Sequence, residues 1–203
     1  MKMKRSAIKA HMKKDYKFKN SLMGSLVFIL FFVVATVLSC TGIGMLLLPL
    51  FVMGYTSLWL SFAKTGKIEI GLMFTDSFSN LIKKWALVFV TSLFTFLWSL
   101  LLIIPGIVKA YAYAMAPYIL LDNPDMGVLE AITESRKMMK GYKWKLFWID
   151  FGFALSGLFA PLTLGLLYLD LFPRQAATHA VFYEELKQHL AQETVEVEAE
   201  AEA

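Results

Sequence analysis

The stretch Ser21–Ser39 reads SLMGSLVFILFFVVATVLS and carries no charge. At ~1.5 Å of rise per residue a helix of this length approaches the ~30 Å hydrocarbon core of a bilayer. Immediately before it stand eight basic residues, Lys2, Lys4, Arg5, Lys9, Lys13, Lys14, Lys17 and Lys19. Beyond it five more apolar segments follow: Ile43–Ala63, Trp85–Ile104, Gly106–Leu121, Leu146–Ala160 and Thr163–Leu186. The expected fold is therefore all-α: a polytopic transmembrane helical bundle of about six spans in three hairpins. The fourth and fifth segments are short and need flanking Tyr and Trp to reach the interfaces. The sixth contains Asp170, Pro173, Arg174 and His179.

Composition agrees. The 203 residues are 58% hydrophobic and 18% charged, with mean hydropathy +0.58. Soluble domains carry about 25% charged residues, so an ordinary soluble globule is excluded. A disordered chain is excluded by the apolar content, and a disulfide scaffold by the single cysteine, Cys40. The net charge of +4 comes from basic residues beside apolar runs, which points to a membrane surface and not to nucleic acid.

The charge distribution orients the chain. Tight breaks at Cys40-Thr41-Gly42, Pro105-Gly106 and Pro161-Leu162 hold no Lys or Arg. The basic arm, the linkers 64–84 and 122–145, and Lys187 hold eighteen of the twenty, leaving Lys109 and Arg174 inside segments. By the positive-inside rule both termini and both linkers face the cytoplasm, placing the protein in the plasma membrane. The organisation is a basic cytoplasmic arm (1–20), a six-helix membrane domain (21–187) and an acidic tail (188–203) expected to be disordered. Val37-Leu38-Ser39-Cys40 faintly resembles a lipoprotein signal, but the apolar sequence resumes at once and a signal-anchor first span is expected instead. The two linkers share a shape, amphipathic segment then lysines around Trp85 or Trp144, which common ancestry and membrane-edge composition explain equally well.

The second linker reads as an amphipathic helix at the inner membrane surface. Asn123 serves as N-cap with Pro124 at the first helical position, and Gly141 closes it. Val128, Leu129, Ile132, Ser135, Met139 and Tyr142 share a face, with Glu130 and Glu134 early and Lys137 and Lys140 late, as the helix dipole prefers. The first linker, around Phe74–Phe78, is a shorter version. Anionic lipid headgroups are the expected partner of both.

One arrangement has possible chemistry. A turn centred on Leu162 puts Asp150 and Arg174 at equal depth, and Asp170 lies one helical turn from Arg174. Asp150, Asp170 and Arg174 are thus a candidate intramembrane charge cluster, read either as a buried clamp between helices or as the lining of a permeation or binding site. His179 reads as a packing residue. Asp122, Asp125, Glu130 and Glu134 read as caps and dipole compensation before they read as a metal site. The sequence shows no nucleophile–base signature, and no enzyme activity, metal or cofactor is expected. Ala110/Ala114, Ala112/Ala116 and Ala176/Ala180 are small-xxx-small pairs suited to close packing, within the chain or with another copy.

The stretch Leu97–Lys187 resembles the bacterial membrane-protein family catalogued as domain of unknown function 975. The matching residues are Pro105-Gly106-Ile107, Lys109-Ala110-Tyr111, Ala116-Pro117-Tyr118, Asp122-Asn123-Pro124, Glu134-Ser135, Met139-Lys140-Gly141, Leu162-Thr163-Leu164-Gly165 and Ala180-Val181-Phe182-Tyr183. The resemblance implies a multi-spanning plasma-membrane protein and transfers no catalytic residue. The chain departs from the expected pattern at Asp150 and Phe172-Pro173-Arg174. The expected role is a non-enzymatic membrane scaffold or accessory protein acting on lipid, another copy or another membrane protein; the alternative is an oligomeric transporter or channel using the charge cluster.

Overall fold

Runs of Leu, Phe, Met and Val close their backbone hydrogen bonds internally as helices, the arrangement an apolar solvent demands. The computed structural model describes residues 8, 10, 12, 16, 18–39, 44–101, 103–163 and 165–201. Its helices are α1 (Phe18–Ser39), α2 (Gly44–Thr65), α3 (Ile70–Phe78), α4 (Leu81–Leu101), α5 (Ile103–Tyr113), α6 (Ala116–Asp122), α7 (Val128–Met138), α8 (Lys143–Gly157) and α9 (Leu167–Ala201), with a 3-10 turn at Ala160–Thr163. Among the described residues there is no strand. The turn expected at Cys40-Thr41-Gly42 lies outside the described residues, as does most of the basic arm.

Four stretches are long and apolar enough to cross a membrane: Asn20–Val37, Leu47–Thr65, Leu81–Leu100 and Ile104–Asp122. The fifth and sixth expected spans do not qualify. α8 has 15 residues, or ~22 Å of helix. α9 starts at Leu167 and carries Asp170, Arg174, Glu184, Glu185 and Lys187. It also continues as helix to Ala201, through the segment assigned to a disordered tail. Alanine and glutamate are good helix formers, and an established helix propagates through them at little cost.

Burial divides the four stretches. Only 11% of the α1 and α4 windows is buried, against 56% for α2 and 44% for α5–α6. α2 and α9 hold the centre, where Trp59, Phe62, Phe182 and Tyr183 are fully buried. α1 and α4 turn Phe32, Val33, Val37, Phe89, Phe96 and Leu100 outward, a surface that water would not tolerate and lipid does.

α1 and α2 form an antiparallel hairpin. Asn20 Nδ2 donates to the Gly66 carbonyl at 3.4 Å, and the Phe31 and Tyr55 rings lie 4.8 Å apart. α9 crosses the end of this hairpin. Ser21 touches Asp170, Phe28 stacks on Phe172, and Lys64 meets Glu184 at 3.8 Å. α9 advances ~25 Å between Asp170 and Lys187, yet these contacts stay within the first half of α1, Ser21 to Phe28, and at Lys64 next to the end of α2. A helix antiparallel to α1 would instead bring Asp170 to its far end. The crossing needs close approach: a Cβ on Gly24 would lie 3.1 Å from Trp59 and 3.2 Å from Pro173 Cβ.

α4 and α5 pair along their lengths. α4 ends at Leu101 and α5 starts at Ile103, ahead of the expected Pro105-Gly106, so Pro105 falls in the first turn of α5, where a missing N–H costs little. A Cβ on Gly106 would lie 2.8 Å from Ser99 Cα, so glycine is required for the approach. Pro117 breaks the α5–α6 line because it cannot donate to the previous turn. Ser135 of α7 repairs the gap: its hydroxyl donates to the Ala112 carbonyl at 2.8 Å and accepts from Met115 N–H at 3.2 Å.

That contact shows that the amphipathic face of α7 meets protein. Ala131, Ile132, Ser135 and Met139 are buried against the protein, and Leu129 points outward. The start also moves from Pro124 to Val128; Asn123 begins a turn closed by Met126 N–H at 3.0 Å, and Gly127 N–H donates to Glu130 at 3.3 Å.

Candidate functional site

α9 carries three polar nodes, each closing on a different helix. The first contains Asp170 and Arg174. Their spacing of one helical turn puts Arg174 Nη2 2.7 Å from Asp170 Oδ2, and Ser21 donates to Asp170 Oδ1 at 2.5 Å. The Arg174 guanidinium lies 5.6 Å from the ring centre of Tyr16. Burial, and then the charge of Asp170, push the Tyr16 hydroxyl up to about 12, so the ring stays neutral beside the cation.

Asp150 does not join that node. Its carboxylate accepts from Gln175 Nε2 at 2.9 Å and lies 2.6 Å from His179 Nε2. The depth rule placed Asp150 within one residue of its true level, beside Gln175. Consecutive helical residues differ by about 100°, so Arg174 faces away from the side that Gln175 shares with His179. The expected three-residue cluster is thus two nodes on opposite sides of α9. His179, read as a packing residue, is a hydrogen-bond partner of Asp150. Its signal was the i, i+4 spacing with Gln175 opposite an acidic residue at matching depth.

The third node centres on Asp122 at the end of α6, whose side chain is only 5% exposed. It accepts from Lys64 of α2, and from Lys187 at 2.5 Å and Tyr183 at 2.9 Å, both of α9. Tyr183 stacks on Tyr118 at 5.4 Å. Asp122 therefore joins three helices and is not a helix cap. Two lysines at segment ends near one carboxylate were the available signal. Among the described residues no group of three His, Cys, Asp or Glu is arranged to hold a metal, and the four acidic residues 122, 125, 130 and 134 do not converge on a site.

Two cavities flank the α8–α9 pair. One of about 500 Å³ is lined by Tyr16, Gly152 and Arg174 among others, and one of about 570 Å³ by Tyr111, Asp150 and Gln175. Phe153 and Leu171 face both. The Tyr111 hydroxyl is also hydrogen-bonded to Asp150. Two further hydroxyls on α8 and α9 are turned back on their own helices, Ser156 to the Gly152 carbonyl and Thr178 to the Arg174 carbonyl.

The family described as "Protein of unknown function (DUF975)" matches residues 13–190. The chain belongs to this family. The match takes in all three nodes and the cavity beside Asp150, and extends the resemblance from Leu97–Lys187 back through α1 and α2. No curated protein and no solved structure matches the chain.

Proposed function

We propose that this member of the DUF975 family is a multi-pass plasma-membrane protein that acts by binding, as a scaffold or accessory protein. Its partners are lipid, another copy or another membrane protein. The observation that carries the reading is the outer face of α4. This span is 11% buried and presents Phe89, Leu93, Phe96, Leu97 and Leu100 outward, next to a shallow cleft of hydroxyls and small residues (Thr91, Thr95, Ser99, Ala110). Small and hydroxyl-bearing residues on a lipid-exposed helix favour helix–helix association. The three nodes on α9 meanwhile engage their polar groups in holding helices together.

Both termini and both basic linkers lie on the cytoplasmic side in this reading. Four crossings and six crossings give the same placement, because each is even. Photo-crosslinking residues at Leu93 and Phe96 in native membranes test the proposal. A discrete adduct with a second copy or another membrane protein is expected. Lipid-only adducts at every outward α4 position would overturn the protein-partner part.

Asp150, which lines one cavity and is bonded to His179, favours the second reading, an oligomeric transporter or channel. Flux of protons or cations into liposomes, lost on Asp150→Asn, would support it over the first.

A further inference from the structure

The cavity of about 500 Å³ between the N-terminal arm, α8 and α9 is unexplained by packing. α8 faces it with Gly152, and a Cβ built there meets nothing within 4 Å. Gly24 and Gly106 serve close helix contacts; Gly152 serves none. Glycine inside a helix is destabilising relative to alanine, and no close contact requires it at this exposed position.

The wall is mostly apolar, its polar groups being Arg174 and the hydroxyls of Tyr16, Ser156 and Thr178. Ile149, Phe153 and Leu171 offer only dispersion contacts. Ser156 and Thr178 have donated to their own helices. Arg174 is the charged member of the lining. One of its nitrogens holds Asp170, but a guanidinium has five donors, and 47% of the side chain stays exposed. Asp170 is in turn shared with Ser21, so its charge is not spent on Arg174 alone. The volume falls in the ~300–1,000 Å³ range of ligand pockets, which are mostly apolar with a few placed polar groups. Trp148 lines the cavity and is also exposed on the outer face of α8 beside Phe151 and Leu155, which makes the wall continuous with the surface read as facing lipid.

We infer that this cavity binds the acyl chain of an anionic amphiphile, with the carboxylate or phosphate held by Arg174. The inference rests on the membrane reading above for the route of entry and on nothing in the scaffold role.

The test uses Trp148 as the reporter. Full-length protein in neutral detergent is titrated with dibromostearate, brominated phosphatidylglycerol and brominated phosphatidylcholine, and bromine quenching of tryptophan is recorded. A saturable component of quenching by an anionic probe is expected above the background from exposed Trp85, Trp98 and Trp144, and that component should be lost in Trp148→Phe. Response to the free acid alone identifies a fatty acid as the ligand; response to the glycerolipid identifies a bilayer lipid. Arg174→Gln should weaken binding roughly tenfold, the loss of one charge-assisted hydrogen bond. Gly152→Leu should abolish it while melting no lower than the parent without ligand, because the new side chain enters open space. Ser156→Met fills the same cavity from the next turn and gives a second, independent block. Quenching unchanged in both filled variants, or phosphatidylcholine binding as tightly as phosphatidylglycerol, would overturn the site. Either result leaves the α4 crosslinking outcome untouched, so the two proposals fail separately.

Discussion

Replacing Asp122 by alanine removes the shared acceptor of Lys64, Lys187 and Tyr183. The three donors do not lose equally. The lysine side chains are 42% and 49% exposed, so their ammonium groups return to water, and exposed pairs contribute only ~0–1 kcal/mol. Tyr183 is fully buried. Its hydroxyl is left without its acceptor, which costs about 1–3 kcal/mol. Asp122→Ala should therefore destabilise by about 2–4 kcal/mol, with most of it from the tyrosine. Asp122→Asn keeps an acceptor oxygen and should cost about 1 kcal/mol or less. In a Tyr183→Phe background the alanine substitution should cost clearly less than in the parent, since contacting residues couple. Equilibrium unfolding in mixed detergent micelles measures the parent and all of these variants, with exposed Asp125→Ala as a control expected within ~0.5 kcal/mol of the parent. Equal losses for Asp122→Asn and Asp122→Ala would refute the reasoning, because charge and not the tyrosine bond would then be holding the node.

Ser135→Val removes both bonds at the α5–α6 break and should destabilise by about 2–4 kcal/mol, read by the same unfolding titration. Gly106→Ala places a Cβ 2.3 Å from Ser99 Oγ and 2.8 Å from Ser99 Cα, so about 1–3 kcal/mol of overpacking is expected together with greater protease sensitivity between α4 and α5. Asp150→Leu and Arg174→Leu belong to different nodes, and their effects on folded yield should add. Asp150→Leu and His179→Leu remove the two partners of one 2.6 Å hydrogen bond and should show coupling of roughly 0.5–3 kcal/mol.

Helix class, the apolar segments and the even charge asymmetry were legible because each rests on long runs of residues. The sixth segment was not legible as a span or a crossing helix, because hydropathy reports affinity for lipid and not direction. Only the contacts of Asp170 with Ser21 and of Phe172 with Phe28 show α9 crossing the hairpin. The amphipathic pattern of α7 was real, but periodicity does not say whether an apolar face meets lipid or protein. Ser135, a polar residue on that face, is explained by the Pro117 break twenty residues earlier. Within the candidate site, Asp170–Arg174 was readable as a local i, i+4 pair. Asp150 needed the rotation of α9 as well as its depth, and an antiparallel depth rule carries no rotational information. Lys84 makes the same point from the basic linker: it is buried, donating to the Asp76 carbonyl and to Ser79 Oγ at 2.8 Å, where charge counting placed it at a membrane surface.

The central claim is that α4 and α5–α6 cross a bilayer with their connection on the side opposite the linkers. Single cysteines at Ile104, Lys67 and Asp125 in a Cys40→Ser background, treated in intact cells with a membrane-impermeant maleimide, test it most directly. Ile104→Cys should be labelled at once, and Lys67→Cys and Asp125→Cys only after permeabilisation. Labelling of Asp125→Cys in intact cells, or protection of Ile104→Cys until permeabilisation, would contradict the account.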